Sequence, residues 1–167
     1  MSRTGHLTRR FVGTMRPGGP RPADTEWVRE VLETGEFTLW SKMPNHDRRH
    51  SVLVAHRVAD QLSTTEYSGD SRWLAAALLH DVGRSRELRR GPSFRQTEEG
   101  RLLGHVHLGL RLIEERSQLL EPEVLAELLH AIACHHDRQA ARTAEAAVLY
   151  HANQLDAQAA TRPVGDD

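Results

Sequence analysis

Eleven histidines stand beside only eight Phe, Trp and Tyr residues in this 167-residue chain, and a surplus of imidazole over aromatic core residues asks for a chemical reason. The sharpest local signal is His80-Asp81, at the end of Trp73-Leu-Ala-Ala-Ala-Leu-Leu79. A histidine and an aspartate entering a core there must be neutralised, hydrogen-bonded or metal-bound, because an unpaired buried charge is very costly. Alone, such a dipeptide is more often a cap pair than a ligand pair. His50 adds weight, beside the apolar run Val52-Leu-Val-Ala55. So does His105, within Gly104-His-Val-His-Leu-Gly109, whose glycines let another helix pack close. His135 follows Leu128 by seven residues and Ile132 by three; His136 follows Leu129 by seven and Ile132 by four. Imidazoles projecting from four helices towards one core, with a carboxylate, are how a helical bundle builds a metal site. A nitrogen- and oxygen-rich site without thiolates suits Mn, Fe, Co, Ni or Zn and does not select among them.

The other histidines read as structural. His107 is two residues from His105 and on a helix points elsewhere. His130 falls opposite Leu128 and Ile132, and His46, one turn before His50, suits a supporting or substrate-side place. His56, His151 and His6 are assigned to structure or surface, and Cys134 to a small buried apolar position. The chain has no His-Glu-x-x-His pair, no Cys-x-x-Cys, no Gly-rich phosphate loop and no Gly-x-Ser-x-Gly elbow, which sets aside the chemistries built on them.

The elements that must position these residues are helical. Asp24 or Thr25 caps a first helix that Gly35 ends. A second runs from Pro44-Asn45 to about Ser63, and Asp70 or Ser71 caps the segment from Trp73 to Leu79, which is apolar all round and belongs in the centre. Gly83 stops it, and a loop rich in arginine follows, with Arg84, Arg86, Arg89, Arg90 and Arg95 around Gly91-Pro92. Further helices cover Glu98 to Arg116, Pro122 to His135 and Thr143 to Ala160. No strand-like alternation persists, so the expected fold is an all-α bundle of about six helices. Residues 1–23 hold five Arg, no acidic residue and Arg16-Pro-Gly-Gly-Pro-Arg-Pro22; they are expected to form a flexible basic arm ahead of one domain over 24–167.

Composition narrows the setting. The formal net charge of −1 gives no bulk attraction to nucleic acid. No apolar run approaches the roughly 20 residues of a membrane span, and no signal peptide opens the chain because Arg9 and Arg10 interrupt Leu7 to Gly13. With one cysteine and hence no internal disulfide, a cytoplasmic protein is expected.

Arg48-Arg-His-Ser51, Leu74-Ala-Ala-Ala-Leu-Leu-His-Asp-Val-Gly83, Glu99-Gly-Arg-Leu-Leu-Gly-His-Val-His-Leu-Gly109, Leu128-Leu-His-Ala-Ile-Ala-Cys-His-His136 and Tyr150-His-Ala-Asn-Gln-Leu-Asp-Ala157 together resemble the HD-domain metal-dependent phosphohydrolase superfamily. The set covers roughly residues 44 to 160 in the family's order. It looks most like the HD domain of bacterial 3′-to-5′ exoribonucleases that carry an OB-fold in front. The resemblance implies a helical bundle in which a metal-activated water attacks a phosphoester. It matches His50, His80 and Asp81 to the first ligands, and His105 and His135, with His136 beside them, to the histidines that hold a second metal in some members.

Three departures stand out. The family's last ligand is the Asp of an Ala-Asp-x-x-Asp-Ala signature, and this chain has Asn153 there; Asp156, three residues on, is the other candidate, and helical geometry alone does not choose. The Lys that often follows His-Asp-x-Gly is Arg84, still able to grip phosphate. Some 40 residues ahead of the HD region cannot hold an OB-fold, so RNA binding is not carried over. The leading expectation is hydrolysis of a small phosphorylated or nucleotide-like substrate, with Asp81 and Arg84 catalytic and Arg84, Arg86, Arg89 and Arg90 gripping phosphate. The alternatives are a metal-dependent oxygenase and a nucleotide-binding module weakened at Asn153.

Overall fold

The computed structural model describes residues 18–89, 95–116 and 121–159. Among them the elements are α1 (Pro22–Val31), α2 (Thr34–Ser41), α3 (Asn45–Leu62), α4 (Ser71–Leu79), the single turn α5 (Arg84–Glu87), β1 (Leu88–Arg89), β2 (Arg95–Gln96), α6 (Glu98–Glu114), α7 (Pro122–Ala133) and α8 (Ala144–Ala159). The all-α architecture is as expected. It is joined by an antiparallel ladder pairing Leu88 with Gln96 and Arg89 with Arg95. Strands of two residues are too short for alternation to reveal. No helix among the described residues is long and apolar enough to cross a membrane.

The first helix differs from the sequence reading. It starts at Pro22 with Arg21 as its cap, and Asp24 sits in its first turn, where it accepts a hydrogen bond from Arg21 at 2.8 Å. The helix therefore begins inside the stretch expected to be an arm, while residues 1–17, and His6 with them, lie outside the described residues. It ends at Leu32. Glu33 then opens a separate helix through a reciprocal capping box with Glu36, so Gly35 falls in a first turn rather than after a last one. A glutamate in place of the usual Ser or Thr at the cap hid this boundary.

α4 occupies the centre. Asp70 caps it by accepting from the Arg72 N–H at 3.0 Å; Trp73 and Ala75 through Leu79 are buried, and the helix packs against α1, α2, α3, α7 and α8. Its alanines let these neighbours approach, while Leu78 and Leu79, fully buried, each contribute about 1.5–3 kcal/mol of apolar burial. Beyond Leu79 the chain turns through His80, Asp81 and Val82 to Gly83. A Cβ on Gly83 would lie 1.8 Å from the His105 carbonyl oxygen and 2.5 Å from the Gly109 nitrogen. Both are backbone atoms that cannot swing aside, so glycine is what allows the turn carrying His80 and Asp81 to lie directly on α6. Gly83→Ala is accordingly expected to destabilise the fold by about 3 kcal/mol or more, a fall of roughly 6–12 °C in Tm for a chain of this length, measurable by thermal circular dichroism.

The two glycines around His105 do different things. Gly109 packs on Gly83, as close packing of the segment requires. Gly104 meets nothing within 4 Å; it holds φ 71° and ψ 163° and breaks α6 in the middle. That backbone conformation is open essentially only to glycine, and it re-aims the chain immediately before His105. α7 ends at Ala133 with Cys134 as its cap, two residues earlier than expected. His135 and His136 therefore project from a turn, not from the helix.

Candidate metal centre

The turn after α4 sets the middle of the site. His80 is fully buried and its Nδ1–H donates to the Ala77 carbonyl at 2.7 Å, which leaves Nε2 as the nitrogen without a proton. The same device operates at the end of α7, where His135, also fully buried, donates from Nδ1 to the Ile132 carbonyl at 2.5 Å. Burial, first among the causes, pushes both imidazoles below their ordinary range, His135 down to about 2. Both are thus neutral imidazoles.

Asp81 joins them. One carboxylate oxygen lies 3.2 Å from His105 Nε2 and 3.8 Å from His135 Nε2; the other lies 3.7 Å from His80 Nε2 and 2.9 Å from Arg84 Nε. Burial opposes charge on Asp81, but the surrounding His80, Arg84, His105 and His135 outweigh it and hold the carboxyl well below the usual carboxylate range. His105, half-buried beyond the break at Gly104, is driven down to about 4 chiefly by burial. His136 is more exposed and brings its Nε2 to 3.2 Å from His105 Nε2, with its ring 3.9 Å from that of His135.

Two groups of ligand atoms result, each drawn from atoms within 4.8 Å of one another: Asp81 with His105, His135 and His136, and Asp81 with His50 and His80. Asp81 belongs to both. His80 Nε2, His135 Nε2 and Asp81 Oδ1 are buried and have no hydrogen-bond partner among the described residues. Such atoms are costly to bury unsatisfied. They present lone pairs to one another with no donor between them, the deficit a divalent cation removes. The donor set fits a metal.

His50 completes the second group from α3, and the structure separates the two residues that the sequence left as alternatives. His50 Nδ1–H donates to Asp156 Oδ2 at 2.6 Å, and Arg57 donates to the other oxygen of Asp156 at 2.6 Å. His50 Nε2 instead faces Asn153 Oδ1 at 3.0 Å. The Asn153 amide is fixed in that sense because its Nδ2 donates to the His135 carbonyl at 3.3 Å. Asn153 is therefore on the cation-facing side of His50, and Asp156 is behind it. Burial opposes charge on His50, but Asp156 and Asp81 outweigh it and raise its pKa; the pKa of Asp156 is lowered, His50 and Arg57 together outweighing burial.

The arginines do not gather as the sequence suggested. Arg84 is at the site, its guanidinium between Asp81, Asp47 at 3.7 Å and Glu87 at 3.6 Å. Arg86 turns away to donate to Glu115 at 3.1 Å, because it lies on the opposite side of a single helical turn. Arg89 is exposed on β1, and Arg90 lies outside the described residues with Gly91 and Pro92. His130 accepts from the Arg142 N–H at 3.0 Å and touches Cys134, which is buried; His56 stacks on Trp27 and His46 pairs with Asp47 at 3.0 Å. His107 is exposed, outside both ligand groups. An apolar cavity of about 210 Å³ lies towards the other end of α4, by Trp73, Ala76, Leu128 and Ala131, and none of the clustered imidazoles lines it.

A family model of the HD domain matches residues 48–158, well over half of the chain. The chain belongs to the HD-domain family. That family is one of metal-dependent phosphohydrolases, and this HD domain carries a His/Asp cluster able to bind divalent metal. The 3′-5′ exoribonuclease YhaM of Bacillus licheniformis is similar to it, 32% identical over a 92-residue alignment that covers 50% of this chain and 29% of that protein. The match thus spans under a third of that relative's length. No solved structure matches it significantly.

Three buried or half-buried charged residues around the HD cluster were not singled out from sequence: Asp47, Glu87 and Arg57. A signal existed for two of them. Asp47 precedes His50 by one turn and Arg57 follows it by two, so helical periodicity places both on the face of α3 that carries His50.

Proposed function

We propose that this HD domain hydrolyses a phosphoester of a small nucleotide-like substrate, with divalent metal held by His50, His80, Asp81 and the Asn153 amide oxygen on one side and by Asp81, His105, His135 and His136 on the other. The observation that carries this reading is Asp81 shared between two ligand groups whose buried lone pairs lack donors. A divalent cation supplies, when bound, a water acidified to near neutral pKa and a Lewis acid for phosphoryl oxygens.

The chain's own residues do the rest. Asp81, ionised and central, orients the attacking water. Arg84, anchored through Nε to Asp81 and about a third exposed, faces the site's edge with a guanidinium suited to a phosphate oxygen. His50 is kept in its Nε2-inward orientation by Asp156 and Arg57. The similarity to a 3′-5′ exoribonuclease supports a phosphodiester or terminal nucleotide as the substrate class. A second reading has a specific observation behind it. Asn153 gives the first group no charge, which favours weak metal loading and a nucleotide-binding module without turnover.

The test is elemental analysis of the purified protein followed by assays on p-nitrophenyl phosphate and bis-p-nitrophenyl phosphate with Mn, Co, Ni and Fe. Metal-dependent turnover of either ester, lost on chelation, is expected. Weak metal loading with no turnover of any ester under any of these metals, but with tight nucleotide binding, would install the second reading.

A further inference from the structure

Setting aside the exposed His136, the four buried or half-buried imidazoles of the site are not held in the same way. His80 and His135 are anchored through Nδ1 by backbone carbonyls, and His50 is anchored through Nδ1 by the carboxylate of Asp156, itself gripped by Arg57. Each of these three has its Nε2 aimed inward as a consequence. His105 is the exception. Its Nε2 faces Asp81 and His136, both at 3.2 Å, but among the described residues its Nδ1 makes no hydrogen bond.

What faces that Nδ1 is Glu87, whose Oε2 is 3.7 Å away. Glu87 is only 7% exposed, and this Oε2 is a buried atom with no hydrogen-bond partner among the described residues. Its other oxygen accepts from Gln96 Nε2 at 3.4 Å, and Arg84 Nη1 stands 3.6 Å from Oε2, as Arg57 stands by Asp156. The placement is built, not incidental. The Thr97 N–H donates to the Glu87 carbonyl at 2.9 Å, and a Cβ on Gly100 would come within 3 Å of the Glu87 backbone and Cγ, so the start of α6 is clamped onto this residue. The break at Gly104 then returns the chain so that His105 lies between Glu87 and Asp81.

We infer that Glu87 is the positioning carboxylate of His105, the counterpart of Asp156 at His50, and that it engages His105 Nδ1–H when a cation occupies the Nε2 side. A buried carboxylate oxygen left without a donor is costly, and His105 Nδ1 is a nearby donor that a small ring rotation delivers. A cation at Nε2 requires the proton to sit on Nδ1, which makes that nitrogen a donor aimed at Glu87. Carboxylates behind metal-bound imidazoles fix tautomer and ring orientation, and removing them typically weakens metal affinity 10–100-fold. Glu87 is thus specific to one of the two ligand groups. This inference rests on the proposed two-ion reading of the site.

The experiment titrates the full chain with Co(II), following bound metal by calorimetry and site geometry by visible absorption. Glu87→Ala and Glu87→Gln are compared with wild type and with Glu87→Asp. Wild type is expected to bind two ions. In Glu87→Ala the event at Asp81, His105, His135 and His136 should fall in affinity by about 10–100-fold and its absorption band should change, while the event at His50, His80 and Asp81 keeps affinity and spectrum. Glu87→Asp should recover part of the loss. A merely structural role would weaken both events together, and that result overturns the assignment, as does a Glu87→Ala protein with both events unchanged. If wild type itself binds no cobalt, the metal reading of the site falls and this inference falls with it.

Discussion

His80→Ala is expected to strip the protein of the ion held with His50 and Asp81, lowering its affinity by at least about 100-fold, while helical circular dichroism at 222 nm stays largely intact. His80 lies at the middle of the site, fully buried, with its unprotonated Nε2 aimed at its neighbours and without a donor. Deleting the ring removes a ligand that nothing nearby can replace. It also leaves a cavity, at about 2–4 kcal/mol by comparison with other buried truncations, so His80→Gln, closer in volume, serves as the companion variant. Wild type at an ion concentration 100 times its Kd should gain about 2.7 kcal/mol of stability, roughly 5–11 °C in Tm for this size. Neither His80 variant should gain the share that the ion at His50, His80 and Asp81 supplies. Full metal retention by both variants would remove His80 from the site.

Asn153→Asp and Asp156→Asn should move metal affinity in opposite directions. Asn153 Oδ1 is on the cation-facing side of His50, so a carboxylate there adds a full negative charge where a dipole now stands. At an effective dielectric near 20, a unit charge pair about 4 Å apart is worth roughly 4 kcal/mol, and even after desolvation an increase in affinity of about tenfold or more is expected. The same change has a cost in the metal-free protein. Asn153 Nδ2 donates to the His135 carbonyl, and an aspartate places an acceptor against that acceptor, a loss of about 1–3 kcal/mol. Asn153→Asp should therefore melt lower than wild type without metal and gain more when metal is added. Asp156→Asn keeps the shape behind His50 but weakens the grip on its Nδ1–H and leaves Arg57 without its charge partner; a 10–100-fold fall in metal affinity is expected. If Asp156→Asn alone abolishes metal binding while Asn153→Asp changes nothing, Asp156 is the ligand and the assignment of Asn153 is wrong.

Much of this was legible in the residues. His80-Asp81 at the end of an apolar helix, and His50 and His105 at helix-compatible positions, pointed to one core before any coordinates, and α4 is central because Trp73 to Leu79 has no polar face to turn outward. The choice between Asn153 and Asp156 was beyond the sequence. Both lie on one helical face, and only the register of α8 against α3, together with the amide contact to His135, decides which one meets His50 Nε2. His135 and His136 were reached by a periodicity that stops at Ala133; His135 is buried because the turn capped by Cys134 folds back on the site, while His136 is exposed, where a stripe argument would have buried it equally. Glu87 had no signal at all. It sits between an arginine-rich turn and a two-residue strand, and its burial comes from the approach of Gly100 and Thr97, a contact made ten and more residues along the chain.

The central claim is that two adjacent cation sites share Asp81. Anomalous diffraction from crystals of the protein grown with Mn(II) tests it most directly. The expected result is two peaks per chain on either side of the Asp81 carboxylate, one bounded by His50, His80 and Asn153 and the other by His105, His135 and His136. Well-ordered crystals with no peak beside Asp81, or with manganese held only elsewhere, would contradict it.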